Sequence, residues 1–177
     1  PWFSGGRESR FITQHIIAGF GHLKKLNVLS KENNSARQLI EKAMPYLDQA
    51  FIKEYKDIRK YNKDADLSKD RLSFSQLHYL YMRSFFQEVP LSKEAQTIRD
   101  YYLGQIDQYW LKRSLYSKGL MALISHRNNR SKTANGILRS LKENSITSDE
   151  LGMYWKANTR SWYWYQAPIE TQALLIE

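Results

Sequence analysis

Apolar residues in this chain recur every three or four positions wherever they recur at all, and no stretch alternates apolar with polar in the manner of a half-buried strand. That period commits the chain to helices. The first stripe is Ile12, Ile16, Phe20 and Leu23, entered at Ser9, a residue suited to a helix N-cap. A long segment follows, offered caps by Asn33, Asn34 and Ser35 and carrying Leu39, Ile40, Ala43, Leu47, Ala50, Phe51, Tyr55 and Ile58, with Pro45 expected to kink it. Residues 62–71 mix charges with turn formers and read as a solvated loop. Ser73 and Gln76 then make a capping box ahead of Leu77, Leu80, Tyr81, Ser84 and Phe85, and Pro90 is expected to end that helix. Ser92 caps the next, with Ala95, Ile98, Tyr102, Ile106 and Trp110 on one side.

The same reading continues to the end. A short helix around Leu115, Leu120, Leu123 and Ile124 stops at His126–Asn129, and Ser131 is expected to cap a partner bearing Ala134, Ile137, Leu138 and Leu141, which Asn144 ends. Thr147 and Glu150 resemble a further capping box before Leu151, Tyr154 and Trp155. Pro168 suits a first helical position and Glu170 the first turn, where the helix dipole favours an acid. Ile169, Ala173 and Ile176 follow at helical spacing up to Glu177 with no stop signal, so the last helix is expected to continue and the chain to be an excised part of a larger one, truncated at its termini. Short connections between helices imply an all-α fold of paired antiparallel helices, either a solenoid or an α/α toroid, although no fixed-period repeat is visible.

Length and composition set outer limits. At 177 residues and 42% hydrophobic content the chain can bury one sizeable core, and a single helical domain over 1–177 is expected. No apolar run approaches the roughly 20 residues needed to cross a bilayer. The absence of cysteine excludes disulfides, thiolate zinc sites and a thiol nucleophile within these residues. The formal charge of +9 is uneven: between Asp107 and Glu143 there is no acidic residue, while Lys112, Arg113, Lys118, Arg127, Arg130, Lys132, Arg139 and Lys142 all fall there. Lys112, Arg113, Lys118, Arg127, Arg130 and Lys132 therefore form a candidate interaction surface, to be weighed against a solvated helix face.

Several anchors, in order, resemble one family. Pro1-Trp2-Phe3, Gly5-Gly6-Arg7, Arg10 to Ile16 and Gly19 to Leu23 come first, then Tyr116 to Leu123, Gly152 to Trp155, Trp162-Tyr163-Trp164 and Ile169 to Leu175. Together they are similar to the thioester-type, complement-like helical domain of bacterial alpha-2-macroglobulin proteins, and the resemblance covers nearly the whole chain. It implies an α/α toroid in a large periplasmic, envelope or secreted protein, reaching a membrane only through an anchor elsewhere. It also implies a non-catalytic part in protease trapping and envelope defence, with other domains of the parent chain and target proteases as partners. Covalent members carry a Cys and a Gln that form a thioester; with no cysteine here, nothing catalytic is carried over, and no cofactor is expected.

The chemistry-bearing side chains have ordinary readings beside their sharper ones. His15 is a conceivable base but more simply a packed histidine, and His22, His78 and His126 lack ligand spacing, so no metal is expected, nor from Asp64 and Asp66. Because α/α toroids also host glycosidases and polysaccharide lyases, Glu88, Asp100, Asp107, Glu150 and Glu170 are candidates for a carboxylate pair, the alternative reading, and equally plain surface or helix-start acids. Trp155, Trp162, Tyr163, Trp164 and Tyr165 would either line a groove or seal helix junctions, the second being expected, with Trp162 and Trp164 in the core. Nucleic acid is not an expected partner of the basic run, since no aromatic platform is interleaved with it.

Overall fold

The computed structural model describes residues 6–29, 34–159, 162 and 167–177, and it is mostly helical. Seven α-helices are described: α1 (Arg10–Lys25), α2 (Asn34–Tyr61), α3 (Phe74–Arg83), α4 (Lys93–Tyr109), α5 (Leu115–Arg127), α6 (Ser131–Glu143) and α7 (Pro168–Ile176). A 3-10 turn, Trp110–Lys112, follows α4, and a two-stranded hairpin, β1 (Ile146–Ser148) and β2 (Gly152–Tyr154), follows α6. The chain divides into two compact units, Pro1–Tyr102 and Leu103–Glu177.

In the first unit α1 packs on α3 and α2, and α3 on α2. Contacts along the helices fix their directions. Arg10 meets Gln76, Gln14 meets His78 and Lys24 meets Glu88, so α1 and α3 run parallel. Glu54 meets Ser73 while Asp48 meets Tyr79 and Arg83, so α2 runs back against α3. The core gathers Leu47, Phe51, Leu77, Tyr79, Met82, Phe86 and Tyr102, with the Phe51 and Tyr79 rings stacked at 4.0 Å. Ser9, Ser73 and Ser92 each accept a hydrogen bond from a first-turn backbone N–H, as their positions in the sequence imply. Pro45 lies inside α2.

Three expectations for this unit are corrected. The face of α1 that is buried is Gln14, Ile17, Ala18 and Gly21; Ile16 and Leu23 of the sequence stripe are exposed. Gly21 decides the choice, because a Cβ there would lie 2.5 Å from Phe85 Cγ, so only a glycine lets the helices approach so closely, whereas Gly19 has nothing within 4 Å. Secondly, α3 ends at Arg83, well before Pro90. The Ser84 hydroxyl donates to Tyr81 O, and the Arg83 guanidinium donates to the carbonyls of Phe86, Val89 and Pro90, gathering the segment after the helix into a loop. Thirdly, the capping box is only half made: Ser73 accepts from Gln76 N, but the Gln76 side chain turns inward.

In the second unit α5 packs on α6 and α7 on α5. The α5–α6 connection is tight because Asn129 adopts φ 57°, a left-handed conformation Asn tolerates, while Arg130 N donates to Ser125 O and closes the end of α5. Arg130, with no side-chain cap, occupies the N-cap position expected of Ser131. Ala134, Ile137 and Leu141 are buried and Leu138 is exposed.

The segment around Thr147 and Glu150 is the hairpin rather than a helix. Ile146 pairs with Tyr154, Thr147 with Met153 and Ser148 with Gly152. Ser148, not Thr147, accepts a backbone N–H, that of Leu151, and Gly152 at φ +67° supplies the reversal. Trp155 is buried behind it, its indole N–H donating to Leu141 O at 2.7 Å. Trp162 is 97% exposed and so is not in the core; Trp164, Tyr163 and Tyr165 lie outside the described residues. In α7, Pro168 holds the expected place at the N-terminus, but Ile169, Ala173 and Ile176 are exposed. Thr171 is buried instead, and Leu174 and Leu175 lie over Gly119 of α5, whose missing Cβ makes the room.

Candidate interaction surface and buried polar network

The basic run of the second unit is distributed over the 3-10 turn, α5 and the start of α6. Lys112 and Lys132 are exposed, Arg113 and Lys118 half-buried. Arg127 forms an ion pair with Glu177 in which both side chains are largely covered, at 12% and 14% exposure. Arg130 pairs with Asp107, whose carboxylate also accepts the Thr133 hydroxyl. Arg127 and Arg130 therefore serve contacts within the chain. Beside them lies a cavity of about 730 Å³ lined by Asp107, Trp110, Asn129, Arg130, Lys132 and Gly136 among others. The Trp110 ring touches α6 at Gly136, with Cζ2 3.5 Å from where a Cβ would stand, an ordinary van der Waals distance.

The candidate carboxylates are scattered. Glu88 pairs with Lys24, Asp100 with its neighbour Arg99, and Asp107 with Arg130. Glu150 is exposed in the hairpin turn and Glu170 is exposed in the first turn of α7. Asp107 alone of the five lines the cavity described above. Among the described residues no group of three or more His, Asp or Glu gathers as a metal site.

The most elaborate polar arrangement lies in the first unit, on residues whose role the sequence pattern does not display. Arg10 pairs with Glu54, and its Nε donates to Gln14 Oε1 at 2.7 Å while Nη2 donates to Gln76 Oε1 at 3.1 Å. Gln76, fully buried, donates in turn to Phe51 O and to the Tyr102 hydroxyl. Glu54 also accepts from Ser73 Oγ at 2.7 Å, so one carboxylate ties α1, α2 and the start of α3 together. Further along the same face of α3, Asp48 accepts from Tyr79 and pairs with Arg83, which is 5% exposed. Burial, with Asp48 beside it, drives the Tyr79 hydroxyl well above the ordinary phenol range, and burial does the same to Tyr102. Both stay neutral at physiological pH. Each of these groups has a partner within the fold.

The histidines join this network. His15 and His78 stack with centroids 4.0 Å apart and planes 14° from parallel. Burial lowers His78 to about 3, with His15 as a lesser cause, and burial also lowers His15 against a smaller opposing effect of its hydrogen bond to Phe11 O. His15 is thus a packed histidine with a second ring on its face. The sequence places His15 and His78 in separate helices and does not reveal the pairing. The signal that existed was the Gln at 14 and 76, each standing where a helical stripe would be apolar. Comparison with protein-family models, with curated proteins and with solved structures gives no match to this chain.

Proposed function

We propose that the chain is a non-catalytic helical domain of a bacterial alpha-2-macroglobulin-like protein, contributing to protease trapping through contacts with other domains and with the captured protease. The observation that carries the reading is the ordered set of sequence anchors, from Arg10–Leu23 through Tyr116–Leu123 to Ile169–Leu175. Helix directions support it: α1 and α3 run parallel with α2 returning against α3, which is how successive hairpins stack in an α/α toroid. The polar side chains support it too, since the networks around Gln76 and Asp48 tie helices to one another. The periplasmic or envelope setting belongs to this same proposal, and the contribution of these residues to trapping is non-covalent, since they include no cysteine.

The exposed Lys112 and Lys132, with half-buried Lys118, are the contact residues this reading favours. Reversing all three to Glu in the protein that carries this domain is expected to weaken retention of trypsin at least tenfold in size-exclusion chromatography. Unchanged retention would remove this surface from the account. Glycan hydrolysis by the purified chain, abolished by Asp107→Asn, would replace the reading with that of a carbohydrate-active toroid enzyme.

A further inference from the structure

We propose that the stacked His15–His78 pair is an acid-sensitive latch, holding α1 on α3 while both rings are neutral and releasing α1 when they take up protons. Such a latch would act whatever the function of the chain, and Gln14 sets its proton arrangement. Its amide orientation is fixed from two sides, because Oε1 accepts from Arg10 Nε and Nε2 donates to Ser75 O at 3.2 Å. The NH2 group therefore also faces His78 Nδ1, at 3.4 Å, and that nitrogen must be the acceptor, which places the proton of the neutral ring on Nε2. Protonating His78 would set an N–H against an N–H. Gln14 cannot turn over to receive it without losing both of its other bonds.

Face to face with this ring stands His15, so protonating both would put two cations in contact. Among the described ring neighbours of the pair none carries a negative charge. The rings that face the pair are Phe11 of α1 and Phe74 and Tyr81 of α3, and the Arg10–Glu54 ion pair connects to it through Gln14. Of these the only carboxylate, Glu54, already holds Arg10 and Ser73, while the Tyr81 hydroxyl is bonded to His22 Nε2 at 3.0 Å. Both ring pKa values lie below the ordinary histidine value while α1 is docked. An undocked α1 therefore binds more protons than a docked one as pH falls below about 6.5, and acid favours undocking. The consequence at the molecular surface is specific: α1 leaves with Gly21 and His22, uncovering Tyr81 of α3 and Phe85 just beyond it.

Hydrogen exchange on the full chain between pH 7 and pH 5, corrected for intrinsic rates, tests this. The protection of α1 amides should fall by about tenfold per pH unit for each proton taken up below pH 6, while α5 and α6 amides keep theirs. The double variant His15→Phe/His78→Phe retains stacked rings without titration and should show pH-independent α1 protection. Should that variant not fold, proton NMR of the wild-type His78 ring serves: the latch requires it to stay neutral above pH 5 for as long as α1 is docked. Acid-independent α1 protection in the wild type, a slope retained in the double variant, or a His78 ring titrating near 6.5 with α1 in place would each overturn the proposal.

Discussion

At the scale of single residues the fold turns on positions where a side chain has no room or no substitute. Gly21 and Gly19 sit two residues apart on α1, and only Gly21 is pressed against Phe85. Gly21→Ala should therefore destabilise the chain by about 1–3 kcal/mol through forced displacement of that ring. Gly19→Ala, in open space, should stabilise it by about 0.5–1 kcal/mol through helix propensity. Urea denaturation of the two variants gives opposite signs if the face assignment of α1 is right. Arg83 is the second such position. It holds three loop carbonyls and Asp48 at once, so Arg83→Met should cost about 3–5 kcal/mol, since it leaves a largely buried carboxylate without its counter-charge and three carbonyls without this donor. A cost below about 1 kcal/mol in the same denaturation experiment would show that water replaces the guanidinium without loss.

Among elements, what could be read from the sequence was what local chemistry decides alone. The serine caps at positions 9, 73 and 92 and the stripe Ala95, Ile98, Tyr102 and Ile106 of α4 fall where the pattern puts them, because a cap bond and a helical period need no distant partner. The face of α1 was not legible in this way, since that helix is apolar around much of its circumference and the buried side is chosen by Gly21 and Gln14 meeting α3. Nor was the hairpin: Thr147 and Glu150 fit a capping box, and the competing signal was a lone Gly152 at positive φ. The polar network escaped because glutamine in a helix reads as surface until its partners on other helices are known. Aromatic residues test the element-scale correction directly. Trp155→Ala should cost about 3–5 kcal/mol because the ring and its indole N–H bond seal the hairpin against α6. Trp162→Ala, at a nearly fully exposed ring, should fall within about 0.5 kcal/mol of wild type by thermal denaturation.

For the whole molecule the charge of +9 and the all-helical pattern bear on function differently. Part of the basic run is engaged within the chain, at Arg127–Glu177 and Arg130–Asp107, while Lys112, Lys132, Arg139 and Lys142 are exposed and Lys118 half-buried. Such a distribution suits contacts with acidic patches of neighbouring domains better than a continuous phosphate-tracking groove. The central claim, that this is a steric, non-catalytic part of a protease trap, meets its most direct test in a single assay on the intact protein carrying this domain. Trypsin is incubated with it, and cleavage of a large protein substrate is compared with cleavage of a small chromogenic peptide. A trap should suppress the first severalfold while sparing the second, because enclosure excludes bulk without blocking the catalytic site. Equal cleavage of both substrates with and without the protein would contradict the account.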